Sequence, residues 1–90
     1  MSVKIEVPSP LREHTGGKTD VTVSGATVKD ALDDLVRQFP TIGPKLFDGG
    51  KLRPYINVFV NDEDIRYLDD MKTAISDGQV VALIPAVAGG

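Results

Sequence analysis

One segment of this chain has the spacing of a long amphipathic helix, and it limits the folds that the chain can adopt. Apolar residues recur every three or four positions over residues 28–39, with charged and amide side chains between them. Thr27 is a residue type that caps helix N-termini, Asp30 follows three positions later, and Pro40 ends the pattern. The sequence therefore predicts one main helix whose apolar face must pack against another layer.

Segments of alternating polarity surround this helix and predict strands. Alternation over residues 3–7, 20–24 and 55–60 predicts three half-buried strands, the first two pairing as an antiparallel hairpin. Residues 65–67 are a candidate short edge strand. Residues 80–84 are apolar at every position, so we expect a strand buried on both faces, in the centre of the sheet and beside the first. The order β-β-α-β-β predicts an α+β fold, a mixed four- to five-stranded sheet around one main helix.

The remaining segments are predicted to be turns and loops. Residues 9–18 and 48–51 are predicted loops that contain glycine pairs. Residues 42–47 and 72–75 are each predicted to form a single helical turn. Residues 61–64 are predicted to form an acidic turn, since they lack the spacing and closing glutamate of a calcium-binding loop.

Composition and charge exclude several classes of protein. Ninety residues suit one domain, and a net charge of −3 with scattered basic residues argues against a nucleic-acid-binding surface. The chain contains no cysteine, which excludes disulfides, zinc–thiolate sites and thiol nucleophiles. The start lacks a signal-peptide pattern, and no apolar run reaches the roughly 20 residues that a membrane helix needs. We therefore expect a cytoplasmic protein that binds neither nucleic acid nor membrane.

The last five residues are predicted to form a functional tail: Ala86, Val87, Ala88, Gly89 and Gly90. We divide the chain into a folded domain of residues 1–85 and a flexible tail of residues 86–90. The two glycines lack side chains, so the end of the chain is thin and conformationally free. Such an end can enter another protein's active site and present the Gly90 carboxylate. The alternative is that the tail is incidental to function.

Three stretches carry a likeness to a known family: residues 3–7, 55–66 and 73–85, the last leading into the tail. The third stretch contains Asp77-Gly78, then Val81 three positions after the glycine, and then Pro85. The final glycine pair follows in the tail. In these stretches and in the order of its predicted elements, the chain resembles the ubiquitin-like β-grasp family. Within that family it resembles the sulfur carriers of the ThiS/MoaD type. Its ending is most similar to that of the carriers that serve cysteine biosynthesis in actinobacteria.

The resemblance implies a cycle of sulfur transfer in which the chain is a cosubstrate and not an enzyme. A ubiquitin-activating-type adenylyltransferase/sulfurtransferase adenylates the Gly90 carboxylate with ATP, and a sulfur donor displaces AMP to leave a C-terminal thiocarboxylate. A biosynthetic enzyme then accepts the sulfur, for cysteine or another sulfur-containing metabolite. In the cysteine pathway a metalloprotease removes the added cysteine. The carrier itself is expected to bind no cofactor and no metal.

Two other functions remain open from the residues alone. A ubiquitin-like protein modifier would use the same adenylation but would transfer Gly90 to a lysine amine. A β-grasp interaction module would not need the tail at all.

A partner-docking patch is predicted beside the tail. If Ile56, Val58 and Val60 face the helix, Phe59 points to the other side of the sheet, next to Ala82 and Ile84. An exposed patch of aromatic and aliphatic side chains is typical of a protein–protein interface. The alternative is that Phe59 packs beneath residues 42–47.

His14, the single histidine, is not predicted to be catalytic. Its neighbours in the sequence offer no recognisable catalytic or metal-binding partners. We expect a solvent-exposed loop residue.

Overall fold

The computed structural model describes residues 2–86, and a mixed five-stranded sheet forms its main layer. The elements, in chain order, are β1 Ser2–Glu6, β2 Asp20–Ser24, α1 Val28–Gln38, α2 Gly43–Leu46, β3 Phe47–Asp48, β4 Lys51–Leu52, β5 Ile56–Val60, β6 Glu63–Asp64 and β7 Val80–Pro85. The strand order in the main sheet is β2-β1-β7-β5-β6, while β3 and β4 form a separate small hairpin. The predicted α+β fold with one main helix is confirmed.

The strand β7 lies in the centre of the sheet, as its uninterrupted apolar sequence predicts. It runs parallel to β1, with Ile5 opposite Val81, and antiparallel to β5, with Val58 opposite Leu83. The strands β1 and β2 pair antiparallel over their full lengths, which confirms the predicted first hairpin. The strands β1 and β7 are parallel neighbours, which need a long crossover connection. The helix α1 lies in the part of the chain that connects them.

The helix α1 begins and ends where its sequence predicts. The Thr27 hydroxyl oxygen accepts a hydrogen bond from the Asp30 N–H at 3.2 Å, which satisfies one free donor of the first turn. At the other end, the Phe39 N–H donates to the Leu35 carbonyl at 2.9 Å, and Pro40 opens a short 3-10 helix, Pro40–Ile42. The apolar face of α1 is buried against the sheet.

A single hydrophobic core fills the space between the sheet and the helical side. Its buried apolar residues are Val3, Ile5, Val7, Leu11, Val21, Val23, Val28, Ala31, Leu32, Leu35, Ile42, Leu46, Ile56, Val58, Val60, Ile65, Ile75, Val81 and Leu83. Every strand except β6 in the main sheet contributes side chains from alternate positions to it. The outer face of the sheet is consequently left for other contacts.

The edge strand next to β5 is β6, and the prediction that residues 65–67 form it is wrong. Ile65–Tyr67 is a 3-10 helix. The Asp64 carboxylate accepts a hydrogen bond from the Arg66 N–H at 2.9 Å, so this side chain caps the 3-10 helix and ends the strand.

Other short segments also differ from their predictions. Residues 9–18 include a 3-10 helix, Ser9–Thr15, and the second predicted helical turn is a 3-10 helix at Asp70–Lys72. The predicted loop at residues 48–51 is the turn of the β3–β4 hairpin. Its central residues, Gly49 and Gly50, have φ of 59° and 81°, a backbone conformation that glycine adopts at little cost.

Candidate functional site

The predicted tail starts at the point where β7 leaves the sheet. Pro85 has no N–H to donate to a neighbouring strand. The next residue, Ala86, is exposed, and its N–H donates to the Tyr55 carbonyl oxygen at 2.6 Å. This hydrogen bond fixes the position from which the tail departs, at the Tyr55 end of β5. Residues 87–90, which include the predicted charging site at Gly89 and Gly90 and the spacer residues Val87 and Ala88, lie outside the described residues.

The three residues of the predicted docking patch lie together on the outer face of the sheet. Phe59 is directly opposite Ala82 in the β5–β7 register, and Asn57 is opposite Ile84. Opposite residues of antiparallel strands point to the same side of the sheet. Ile84 is 46% exposed, and Phe59 and Ala82 are half-buried. The structure therefore brings Phe59, Ala82 and Ile84 into one apolar surface beside the start of the tail, and their docking role stays a prediction.

Every second residue of β5 and β7 points into the core. Phe59 lies between two such residues of β5, so its side chain points to the outer face. Val58 and Leu83 form one buried pair, and Val60 and Val81 form the next. Residues 42–47 do not cover Phe59, because their buried members Ile42 and Leu46 belong to the core on the helical side.

Acidic side chains surround the apolar patch. A depression of about 270 Å³ beside Phe59 and Ala82 is bordered by Glu6 and Asp62. Glu6 is also directly opposite Asp20 in the β1–β2 register, and both residues are exposed. The outer face thus combines an apolar centre with two carboxylates on one side, and Lys4 of β1 points to the same face as Glu6.

Asp64 and Arg66 form a closed ion pair near one edge of the sheet. Asp64 is 8% exposed, and the Arg66 guanidinium contacts both of its carboxylate oxygens, the shortest distance being 2.6 Å from Nη2 to Oδ2. The side-chain hydrogen bond from Arg66, together with the one from its backbone N–H, holds the pKa of Asp64 below its ordinary value. Because Asp64 is ionised and fully engaged, it is suited to hold the chain in place and not to transfer a proton.

His14 lies on the 3-10 helix Ser9–Thr15 and is half-buried, which corrects the expectation of a solvent-exposed loop residue. Its Nδ1 is 3.2 Å from the Thr41 hydroxyl oxygen, and its Nε2 is 3.8 Å from the Glu13 carboxylate. The hydroxyl contact joins the 3-10 helix to the segment that follows α1. Sequence reasoning missed this contact because Thr41 is 27 positions away in the chain.

Within residues 2–86, no three histidine or acidic side chains come together in a way that would hold a metal ion. The helices in this part of the chain are also too short and too polar to cross a membrane.

Comparison with known proteins identifies relatives that match over the whole chain. The chain matches the ThiS family over residues 5–90. It is 43% identical to the sulfur carrier protein CysO of Mycobacterium tuberculosis, with 100% of both chains covered. It is 38% identical to small archaeal modifier protein 3 of Haloferax volcanii, again with 100% of both chains covered.

The structure agrees with these relationships. CysO in the crystal structure of the Amycolatopsis orientalis BexX/CysO complex superimposes with a TM-score of 0.91 at 41% identity, covering 98% of this chain and 99% of that one. The likeness therefore extends over the sheet, the helix and their connections. The chain belongs to the ThiS family of ubiquitin-like sulfur carriers.

Proposed function

We propose that this protein carries sulfur as a thiocarboxylate on the Gly90 carboxyl group. An ATP-dependent activating enzyme first adenylates the Gly90 carboxylate and releases pyrophosphate. A hydrosulfide equivalent from a sulfur donor then displaces AMP, and the thiocarboxylate passes its sulfur to a biosynthetic acceptor enzyme. The observation that carries the proposal is the full-length relationship to CysO, a named sulfur carrier, at 43% identity.

The chemistry requires a reactive end and a partner that supplies the catalysis. A main-chain carboxylate has a pKa of about 3.3–3.7, so it is ionised at neutral pH and is a poor electrophile. Adenylation converts it to a mixed anhydride with a good leaving group. The carrier contributes reach: the five residues after Pro85 extend at most about 17 Å, enough to enter a buried active site.

The outer face of the sheet is the proposed docking surface for the activating enzyme. Phe59, Ala82 and Ile84 form its apolar centre, and Glu6 and Asp62 border it. The Ala86 N–H bond to Tyr55 holds the start of the tail close to this face. A partner that binds the patch therefore meets the start of the tail, Ala86, at a fixed position. The relative CysO is itself found in a complex with BexX.

The acceptor is proposed to be an enzyme of cysteine biosynthesis, with a metalloprotease that releases the new cysteine from the carrier. ATP is consumed by the activating enzyme and is not bound by the carrier. Because charging needs ATP, we place the cycle in the cytoplasm.

A second candidate function is protein modification through Gly90. The 38% identity to small archaeal modifier protein 3 over both full chains favours it. A modifier and a sulfur carrier share the adenylation step. They differ in the nucleophile, which is a lysine amine in one case and a sulfur donor in the other.

Intact-mass analysis separates the two functions. The purified chain would be incubated with ATP, the host's activating enzyme and a sulfide source, and the chain from the host would be analysed in parallel. A mass gain equal to replacement of one oxygen by sulfur at the terminus supports the carrier. Covalent adducts with host proteins, without that mass gain, support the modifier.

A further inference from the structure

The parallel pairing of β1 with β7 stops at a proline. Lys4 N–H donates to the Gln79 carbonyl at 3.0 Å, and the register continues through Ile5 and Val81 to Glu6 and Ala82. In a parallel ladder the next donor from β1 would be the nitrogen of residue 8, and the next acceptor would be the Leu83 carbonyl. Residue 8 is proline, which has no N–H. The ladder therefore ends because residue 8 cannot donate a hydrogen bond.

From the registers of β7 with β1 and β5, no backbone N–H within residues 2–86 is in position to donate to the Leu83 carbonyl oxygen. On its other side β7 bonds to β5 through Ala82 and Ile84, so the polar backbone groups of Leu83 face β1. Leu83 is 2% exposed. A nearly buried carbonyl without a donor costs free energy, so a donor that reaches it along the open edge of the ladder would be favourable.

This acceptor lies beside an open groove at the base of the tail. The groove has a volume of about 510 Å³ and is lined by Val7, Pro8, Arg12, Leu83 and Pro85, among others. Its floor includes the buried residues Val7 and Leu83. An extended peptide backbone fits such a groove, since strands add to a sheet wherever backbone groups are left unpaired.

The groove also carries two carboxylates and one cation, Arg12. Glu6 and Asp20 line it and lie directly opposite each other, an arrangement that destabilises a sheet. The cation in the groove, Arg12, already donates from Nε to the Val7 carbonyl and from Nη1 to the Ser9 hydroxyl, each at 3.0 Å. A cationic side chain from outside would relieve the repulsion between the two carboxylates.

We propose that this groove receives an extended segment of the enzyme that charges Gly90. A main-chain N–H of that segment donates to the Leu83 carbonyl, and a lysine or arginine side chain lies between Glu6 and Asp20. The inference rests on the proposed function and adds a second contact to the docking face, on the opposite side of β7 from the Tyr55 hydrogen bond. Pro8 keeps the Leu83 acceptor free for the partner.

The variant Pro8→Ala tests the role of the proline. It supplies an N–H that can bond to Leu83 within the chain, so it closes the groove and removes the acceptor. We expect the affinity for the activating enzyme to fall about five- to tenfold, the effect of one hydrogen bond. Thermal unfolding is expected within a few degrees of the unmodified chain, because the new ladder bond offsets the loss of proline.

The paired variant Glu6→Gln/Asp20→Asn tests the charge. We expect about a tenfold loss of affinity at low salt and a smaller loss at high salt. The matched control is Asp48→Asn/Asp69→Asn, which removes two exposed carboxylates that do not line the groove. This control is expected to bind with little change.

The carbonyl carbon resonance of Leu83 gives a direct readout. It is expected to move when the unmodified chain is titrated with the activating enzyme, and to move much less in Pro8→Ala. Unchanged affinities of both variants, with a stationary Leu83 resonance, would show a groove filled by water alone and overturn this inference. Failure of the unmodified chain to be adenylated would instead overturn the proposed function.

Discussion

At the scale of single residues, function and stability depend on backbone freedom at a few positions. At the proposed charging site, we expect two glycines to be needed because a side chain would obstruct entry into a partner's active site. Elsewhere the chain accepts unfavourable backbone angles without glycine: Asn61 and Asp62, in the turn between β5 and β6, have φ of 51° and 68°. Backbone freedom is thus proposed to matter for partner binding at the end of the chain, whereas in this turn the fold tolerates backbone strain.

The variant Gly89→Ala is expected to slow adenylation while the fold is unchanged. The added methyl group narrows the clearance in the partner's channel and removes access to positive φ. The measurement is the initial rate of AMP or pyrophosphate formation with the activating enzyme, together with thermal unfolding. The control Ala88→Gly removes a methyl group from the neighbouring residue and is expected to be charged normally. Equal rates for Gly89→Ala and the unmodified chain would contradict the requirement for a thin end.

The variant Asp62→Gly is expected to stabilise the fold by several tenths of a kcal/mol. Asn-Gly is the favoured pair for a two-residue hairpin turn with positive φ at both positions, and the chain has Asn61-Asp62 there. Urea denaturation measures the change in free energy of unfolding. A loss of stability would show that the Asp62 side chain contributes more to the turn than its backbone strain costs.

At the scale of elements, the helix α1 is joined to the outer edge of the sheet by polar side chains. The Ser24 N–H donates to the Asp34 carboxylate at 2.9 Å, and the Gln38 amide donates to the Thr22 carbonyl at 3.1 Å. Both backbone groups belong to the edge strand β2. By occupying them, the helix protects part of this edge against pairing with other chains.

The variant Asp34→Asn is expected to lower stability in a pH-dependent way. The hydrogen bond from Ser24, and then that from Arg37, holds the pKa of Asp34 below its ordinary value. The ionised carboxylate therefore stabilises the fold above the unfolded-state pKa of about 3.9, and this stabilisation is lost as pH falls through the lower folded-state pKa. We expect a loss of about 0.5–1.5 kcal/mol at pH 7.

Urea denaturation at neutral pH and near pH 3 measures the difference in free energy of unfolding between Asp34→Asn and the unmodified chain. The difference is expected to shrink at the lower pH. The control Asp33→Asn removes a carboxylate whose partner is the exposed Lys29, and it is expected to have a smaller effect. A loss that is the same at both pH values would contradict the assignment to the ionised carboxylate.

The sequence predicted the long elements and the helical turn at residues 42–47, which is α2, and it missed the short strands, for physical reasons. The helix α1 and the strands β1, β2 and β5 have enough residues for their polarity period to be read, and β7 has a continuous apolar run. The hairpin β3–β4 and the strand β6 have two residues per strand, too few to establish a period. The end of β6 is set by the Asp64 side chain, a contact that polarity patterns do not contain.

The outer face was also predictable in part. Counting alternate positions along β5 and β7 placed Phe59, Ala82 and Ile84 on one side without any structural information. The groove at Pro8 was not predictable, because it depends on which residue of β1 lies opposite Leu83.

At the scale of the whole molecule, the two faces of the sheet have separate tasks. One face packs against α1 and forms the core, and the other carries the apolar and acidic side chains that we propose for partner docking. The central strand β7 belongs to both parts, since its inward residues are buried in the core and its end leads into the tail. The start of the tail at Ala86 is therefore fixed by a central strand, next to the proposed docking surface.

The variants Phe59→Ser and Ile84→Ser are expected to weaken binding to the activating enzyme by tenfold or more. Each removes an apolar side chain from the centre of the proposed interface, where binding energy concentrates. Titration calorimetry measures the affinity, and thermal unfolding checks the fold. The control Tyr67→Ser removes an aromatic side chain that is 84% exposed on the 3-10 helix Ile65–Tyr67. Equal affinities for all three variants would remove the outer face from the interface.

The central claim, that the Gly90 carboxyl group is the reactive centre, is tested most directly by blocking it. The chain would be prepared with a free Gly90 carboxylate and, by semisynthesis, with a Gly90 carboxamide, and each would be incubated with ATP, the activating enzyme and sulfide before intact-mass measurement. We expect a thiocarboxylate on the free acid and no reaction of the amide. Sulfur gained equally by both chains would contradict the claim, as would a free acid that never gains sulfur.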